Sequence, residues 1–159
     1  MQKYLTEIRW GLIFTAVMLL WVWIEQLTGL HDQHIAQHAT YTNLFAIPAI
    51  LVYVLALRQK KQRDYNGIMS WKQGMQSGLL ITLVVVLLSP AAQWLTSKVI
   101  TPHYFLNMQA YVVTEGMMTT EQALKYFSLT NYMLQSVIGA AIMGVLTSVI
   151  VAFFLRSKG

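Results

Sequence analysis

Cysteine is absent from the 159-residue chain. That absence excludes disulfide scaffolding, thiolate catalysis, haem attachment through Cys and cysteine-ligated zinc. Charge is nearly as scarce. With 11 Lys and Arg and 6 Asp and Glu, charged residues make up 11% of the chain, less than half of the roughly 25% of a soluble domain. Hydrophobic residues reach 56% and mean hydropathy is +0.50. A soluble fold could not cover itself with so few charges, and a disordered chain is far less apolar. The formal net charge of +5 therefore does not indicate a nucleic-acid-binding domain. Catalytic signatures are missing too: no Walker A loop, no Rossmann glycine motif, no GxSxG elbow and no HExxH.

What is present is long apolar sequence. Four stretches, at about 10–30, 41–57, 74–95 and 132–155, are each long enough to cross a hydrocarbon core of about 30 Å as a helix. Helix is the expected state because the backbone must satisfy its own hydrogen bonds in lipid. The sequence thus predicts an all-α integral membrane four-helix bundle of two hairpins, forming a single membrane domain over residues 1–159. Lys3 and Arg9 before an apolar run resemble a signal peptide. Bulky Trp21 and Trp23 stand where a small-residue cleavage site would fall, so the first span is expected to be retained.

Basic residues are unevenly placed. Nine of the 11 fall in the first tail, the 58–72 loop and the last tail: Lys3, Arg9, Arg58, Lys60, Lys61, Arg63, Lys72, Arg156 and Lys158. The other segments hold Lys98 and Lys125. The positive-inside rule then puts both termini and the 58–72 loop in the cytoplasm. Segments 31–40 and 98–131 face outward.

Span four carries Ser136, Ala140, Gly144, Ser148 and Ala152 at spacing four, one stripe on a helix. Such a stripe allows close helix approach, within the chain or against a second copy. Gly74 and Gly78 form a shorter pair. Pro48 is expected to kink span two at its middle, and Pro90 to kink span three in its outer third. A faint parallel repeat pairs the hairpins: Glu25-Gln26-Leu27-Thr28 echoes Gln93-Trp94-Leu95-Thr96.

The polar residues that invite a function lie outward. Glu25 reads as the only acidic residue within a span, and an intramembrane carboxyl ordinarily faces a cavity or a partner. His31, His34 and His38 follow within eight residues. Asp32 is expected to cap helix two, with Gly29 ending helix one. His34 and His38 would then share a helical face. With Glu25 they form a candidate site for a divalent metal such as zinc, although no cofactor is demanded. Asp32, Gln93 and His103 are further polar candidates. Interfacial hydrogen bonding and a proton-linked or substrate site are the other readings of this cluster.

Between spans three and four, Thr101-Pro102 reads as a helix start and Gly116 as its end. Thr119 and Gln122 read as a capping box for a second short helix, Glu121–Phe127. These amphipathic helices are expected to form a cap on the outer face.

The stretch from Trp21 to Arg58, with Ser70-Trp71-Lys72-Gln73-Gly74, Ser89-Pro90, Thr101-Pro102-His103-Tyr104-Phe105 and Met118-Thr119-Thr120-Glu121-Gln122-Ala123, resembles a family described as a domain of unknown function, number forty-one ninety-nine. The resemblance implies a small four-span protein of the bacterial inner membrane, with the cap in the periplasm. It implies no chemistry. The leading expectation is a non-enzymatic accessory or assembly subunit, working through helix packing and its cap. The alternatives are an oligomeric proton-linked transporter or channel subunit using Glu25 and the histidines, and a metal-dependent enzyme at the periplasmic interface. Expected partners are the lipid bilayer, a second copy or another membrane protein, with no nucleic acid.

Overall fold

The structure, a computed structural model, describes residues 4–157. Lys3 and Lys158, counted above among the basic residues, lie outside the described residues. The described residues form helices and turns, with no strand among them. In chain order the α-helices are α1 Leu5–Leu27, the single turn α2 His38–Tyr41, α3 Ala46–Asp64, α4 Trp71–Leu95, α5 Tyr104–Thr114, α6 Thr120–Tyr126 and α7 Leu129–Leu155. A short 3-10 turn at Ile35–Gln37 leads into α2, another at Thr42–Phe45 joins α2 to α3, and a π turn at Thr96–Ile100 extends α4.

Four helical segments are long and apolar enough to cross a membrane: Leu5–Leu27, Ile35–Asp64, Trp71–Ile100 and Leu129–Leu155. Large apolar side chains such as Leu87 and Phe154 point outward, 71% and 78% exposed. In a protein this poor in charge, that outer surface suits lipid. The architecture is that of a multi-pass membrane protein.

Boundaries differ from the sequence reading for identifiable reasons. Span two runs on to Asp64 because its basic residues are good helix formers and Lys60 finds partners inside the bundle. Span three starts at Trp71 through a capping box: Gln73 N–H donates to Ser70 Oγ, and Ser70 N–H donates to Gln73 Oε1 at 2.8 Å. Ser128 caps α7 by accepting from Asn131 N–H. Pro48 lies near the middle of the Ile35–Asp64 segment, as expected, in the first turn of α3. Proline has no N–H to offer the Leu44 carbonyl, and the chain just before α3 is the tighter 3-10 turn.

Pro90 does lie inside α4. Its missing N–H would have bonded the Val86 carbonyl. The Ser89 hydroxyl takes that acceptor instead, at 2.8 Å, one of the ways membrane helices resatisfy a freed carbonyl.

The closest packing is between α4 and α7. A Cβ added at Gly78 would lie 2.7 Å from Ser148 Cβ, and one at Gly144 would lie 2.6 Å from Thr82 Oγ1. Gly74 faces Ala152 in the same way. The small residues at 144, 148 and 152 therefore let these two helices of one chain approach closely. Across the seam, Tyr53 and Thr82 share a hydrogen bond of 2.8 Å and Thr82 contacts Ser148 at 3.4 Å. Around it lies the buried core, including Leu57, Ile81, Val85 and Val151. The cap has a smaller core of its own, built on Val112, Ala123 and Phe127.

Candidate metal centre

Near its C-terminus α1 places Glu25 in the bundle interior, where it is 3% exposed. One turn earlier, Trp21 Nε1 donates to Glu25 Oε1 at 2.8 Å. The helix then ends in a Schellman motif. Gly29 N–H bonds the Gln26 carbonyl and Leu30 N–H bonds the Glu25 carbonyl. Gly29 has φ +77°, a conformation glycine adopts without the Cβ penalty. The turn continues with His34 N–H on the Gly29 carbonyl at 2.8 Å. This reversal brings His31 back over the helix end, so that its Nε2 lies 3.3 Å from Glu25 Oε2.

His38 opens α2 and completes the group. One ligating atom each from Glu25, His31 and His38 lies within 4.8 Å of the others. The imidazoles of His31 and His38 meet at 4.9 Å between centroids. Tyr104, the first residue of α5, packs its ring 5.0 Å from His31 and 5.1 Å from His38. Asn107, one turn on, donates from Nδ2 to the His31 carbonyl at 3.0 Å. The cap thus holds the loop in place and covers the imidazoles. Burial, reinforced by neighbouring Tyr132, holds the Tyr104 phenol well above its ordinary pKa.

Two ring nitrogens here, His31 Nδ1 and His38 Nδ1, are buried without a hydrogen-bond partner. Burying a polar atom without a partner is costly. Two imidazoles and a carboxylate form a donor set suited to zinc, or to another divalent transition metal.

Of the residues expected at this site, the structure brings Glu25 and His38 together and supplies His31 as the third. His34 and Asp32 are exposed. Asp32 caps no helix: the next helical turn begins at Ile35, with His34 in the cap position and no side-chain bond. The regular spacing assumed for His34 and His38 fails because a 3-10 turn separates them. His103 is exposed at the start of α5. There α5 begins at Tyr104, and Thr101 bonds back to the Thr96 carbonyl in place of capping the helix. Gln93 donates to Ser97 Oγ at 2.9 Å and lines a cavity between the spans.

That cavity has a volume of about 360 Å³ and touches all four spanning segments. Phe14 and Met18 of α1, Tyr53 of α3, Val85 of α4 and Gly139 of α7 form much of its apolar wall. Its polar lining is Thr42, Asn43, Gln93 and Ser136, with Thr15, Ser89 and Thr147. Thr42 also neighbours Glu25, so the cavity and the histidine cluster share a wall.

A second buried polar centre at the other end of the bundle was not foreseen. Glu7, which precedes the apolar stretch at about 10–30, is inside α1 and 2% exposed. It pairs with Lys60 at 2.8 Å and accepts from Ser77 Oγ at 3.0 Å. Lys60 also pairs with Asp64. Glu25 is therefore not the only acidic residue within a span. A signal was present in the acid one turn before Trp10, but its partner Lys60 is 53 residues away in sequence.

Residues 9–157 match the family model described as "Protein of unknown function (DUF4199)", and the chain belongs to that family. Comparison with curated proteins and with solved structures finds no match.

Proposed function

We propose that this member of a family of unknown function is a bacterial inner-membrane protein that binds a divalent transition metal through Glu25, His31 and His38. Its termini lie in the cytoplasm and the metal centre near the periplasmic face. The observation that carries the reading is the pair of buried, unpartnered imidazole nitrogens beside a buried carboxylate. Glu25, His31 and His38 would hold the ion, and Tyr104 would keep bulk water from the imidazoles. The orientation is supported by the basic residues gathered at one end of the bundle.

Zinc titration of the full chain in detergent micelles tests this directly. Wild type is expected to take one zinc per chain. Glu25→Gln, His31→Ala and His38→Ala should each weaken binding about tenfold or more, while His34→Ala and His103→Ala leave it unchanged. Wild type taking no zinc, or losing it equally with His34→Ala, would sink the proposal.

An oligomeric proton-linked transporter is the second reading, favoured by the buried Glu7 and Lys60 at the opposite end of the bundle from Glu25. The accessory-subunit reading rested partly on the small-residue stripe. Gly144, Ser148 and Ala152 already pack against α4, so that reading now draws mainly on the cap, where Met117 and Leu124 stand 61% and 56% exposed.

A further inference from the structure

We infer that the cavity between the spans is a binding site for a single-chain amphiphile: one hydrocarbon tail ended by an anionic oxygen group. The tail site stands on the cavity alone, and the assignment of the headgroup rests on the proposed metal centre. Three observations lead here. First, the cavity opens sideways. Ile50 and Met143 on its lining are 47% and 58% exposed, so its mouth continues the lipid-facing surface. The medium at such a mouth is hydrocarbon. Second, its volume of about 360 Å³ is near the small end of ligand pockets, which run from roughly 300 to 1,000 Å³. That favours one chain over the two of a phospholipid.

Third, Thr42, Asn43, Gln93 and Ser136 gather near the outer ends of their helices, while Thr15 and Ser89 of the lining donate their hydroxyls to carbonyls of their own helices and Thr147 lies further down α7. Thr42, the residue of this group nearest the histidine cluster, neighbours Glu25. A tail entering past Ile50 would leave its head beside the Glu25, His31 and His38 cluster. Without a metal, the carboxylate of Glu25 opposes an anionic head. With a divalent ion in place, the same position attracts it. Uptake of the amphiphile and of the metal should therefore reinforce each other, as linkage requires.

Gly139 supplies the decisive variant. It lines the cavity, and a Cβ built there meets no heavy atom within 4 Å. Gly139→Leu should fill the cavity without a clash in the helix seam. The experiment uses full-length protein in phosphatidylcholine nanodiscs with spin-labelled stearic acid, read as the motionally immobilised fraction.

Wild type should show saturable binding of one probe per chain, strengthened by zinc. Gly139→Leu should weaken it about tenfold or more while zinc binding is kept. Glu25→Gln should retain probe binding but lose the zinc enhancement. Competition by unlabelled fatty acid or by an isoprenyl monophosphate would support the inference and identify the source of the headgroup. Equal immobilised fractions in wild type and Gly139→Leu would overturn it, as would competition by added diacyl phospholipid alone. If the probe binds and Gly139→Leu blocks it while zinc never binds, the tail site stands and the metal reading falls.

Discussion

Lys60 Nζ stands 2.8 Å from Glu7 Oε1 and joins α3 to α1 at the basic end of the bundle. Both side chains are almost fully enclosed, and Glu7 Oε2 has no hydrogen-bond partner. Removing one partner of such a pair strands a buried charge. Lys60→Met should therefore destabilise the protein by about 3 kcal/mol, measured by denaturant unfolding in micelles. The double variant Glu7→Gln with Lys60→Met should recover most of that loss. A double variant as unstable as the sum of its singles would show that the two side chains act separately.

The two glycines at 139 and 144 should respond in opposite directions. Gly144→Ala puts a methyl 2.6 Å from Thr82 Oγ1 and should cost about 2 kcal/mol through overpacking of the α4–α7 seam. Gly139→Ala meets open space and should be neutral, or gain about 0.5 kcal/mol from helix propensity. Thermal unfolding of the two variants side by side checks the pair.

The Ser89 hydroxyl matters because of the residue that follows it. Ser89→Ala should leave the Val86 carbonyl without its donor and cost about 1 kcal/mol. In a Pro90→Ala background the backbone N–H returns at position 90, and the same Ser89 substitution should cost much less. A double-mutant cycle on unfolding midpoints reads the difference. Equal costs in both backgrounds would mean that the hydroxyl does not substitute for the proline's missing donor.

A chain without cysteine is ready for single-cysteine topology mapping. Gln37→Cys is expected to react with a membrane-impermeant maleimide added to spheroplasts, and Gln62→Cys to react only after the inner membrane is opened. Both positions are exposed in the structure. The reverse pattern would invert the orientation argued from the basic residues.

Much of the fold was legible in the sequence because a membrane demands long apolar helices, and composition reports those directly. Capping at Thr119 and Gln122 was legible as well, since a capping box is a local pattern, and the structure contains it. Helix ends set by tertiary partners were less so. Lys60 looked like a loop residue because nothing near it in sequence announces Glu7. At the candidate site, Glu25 stood out as a carboxylate in an apolar run. The choice of His31 over His34 was not readable. It depends on the backbone reversal at Gly29 and on the 3-10 turn at Ile35–Gln37, which break the regular spacing from which a shared face was inferred.

The roof over the two imidazoles comes from far along the chain. Glu25, His31 and His38 all precede residue 39, whereas Tyr104 and Asn107 open α5, after the third span. During synthesis these three clustered side chains are thus made well before their cover. For that interval the first hairpin presents them without Tyr104 above. If the proposed ion is bound, its loading has a natural window during biogenesis, and docking of α5 is the event that closes it.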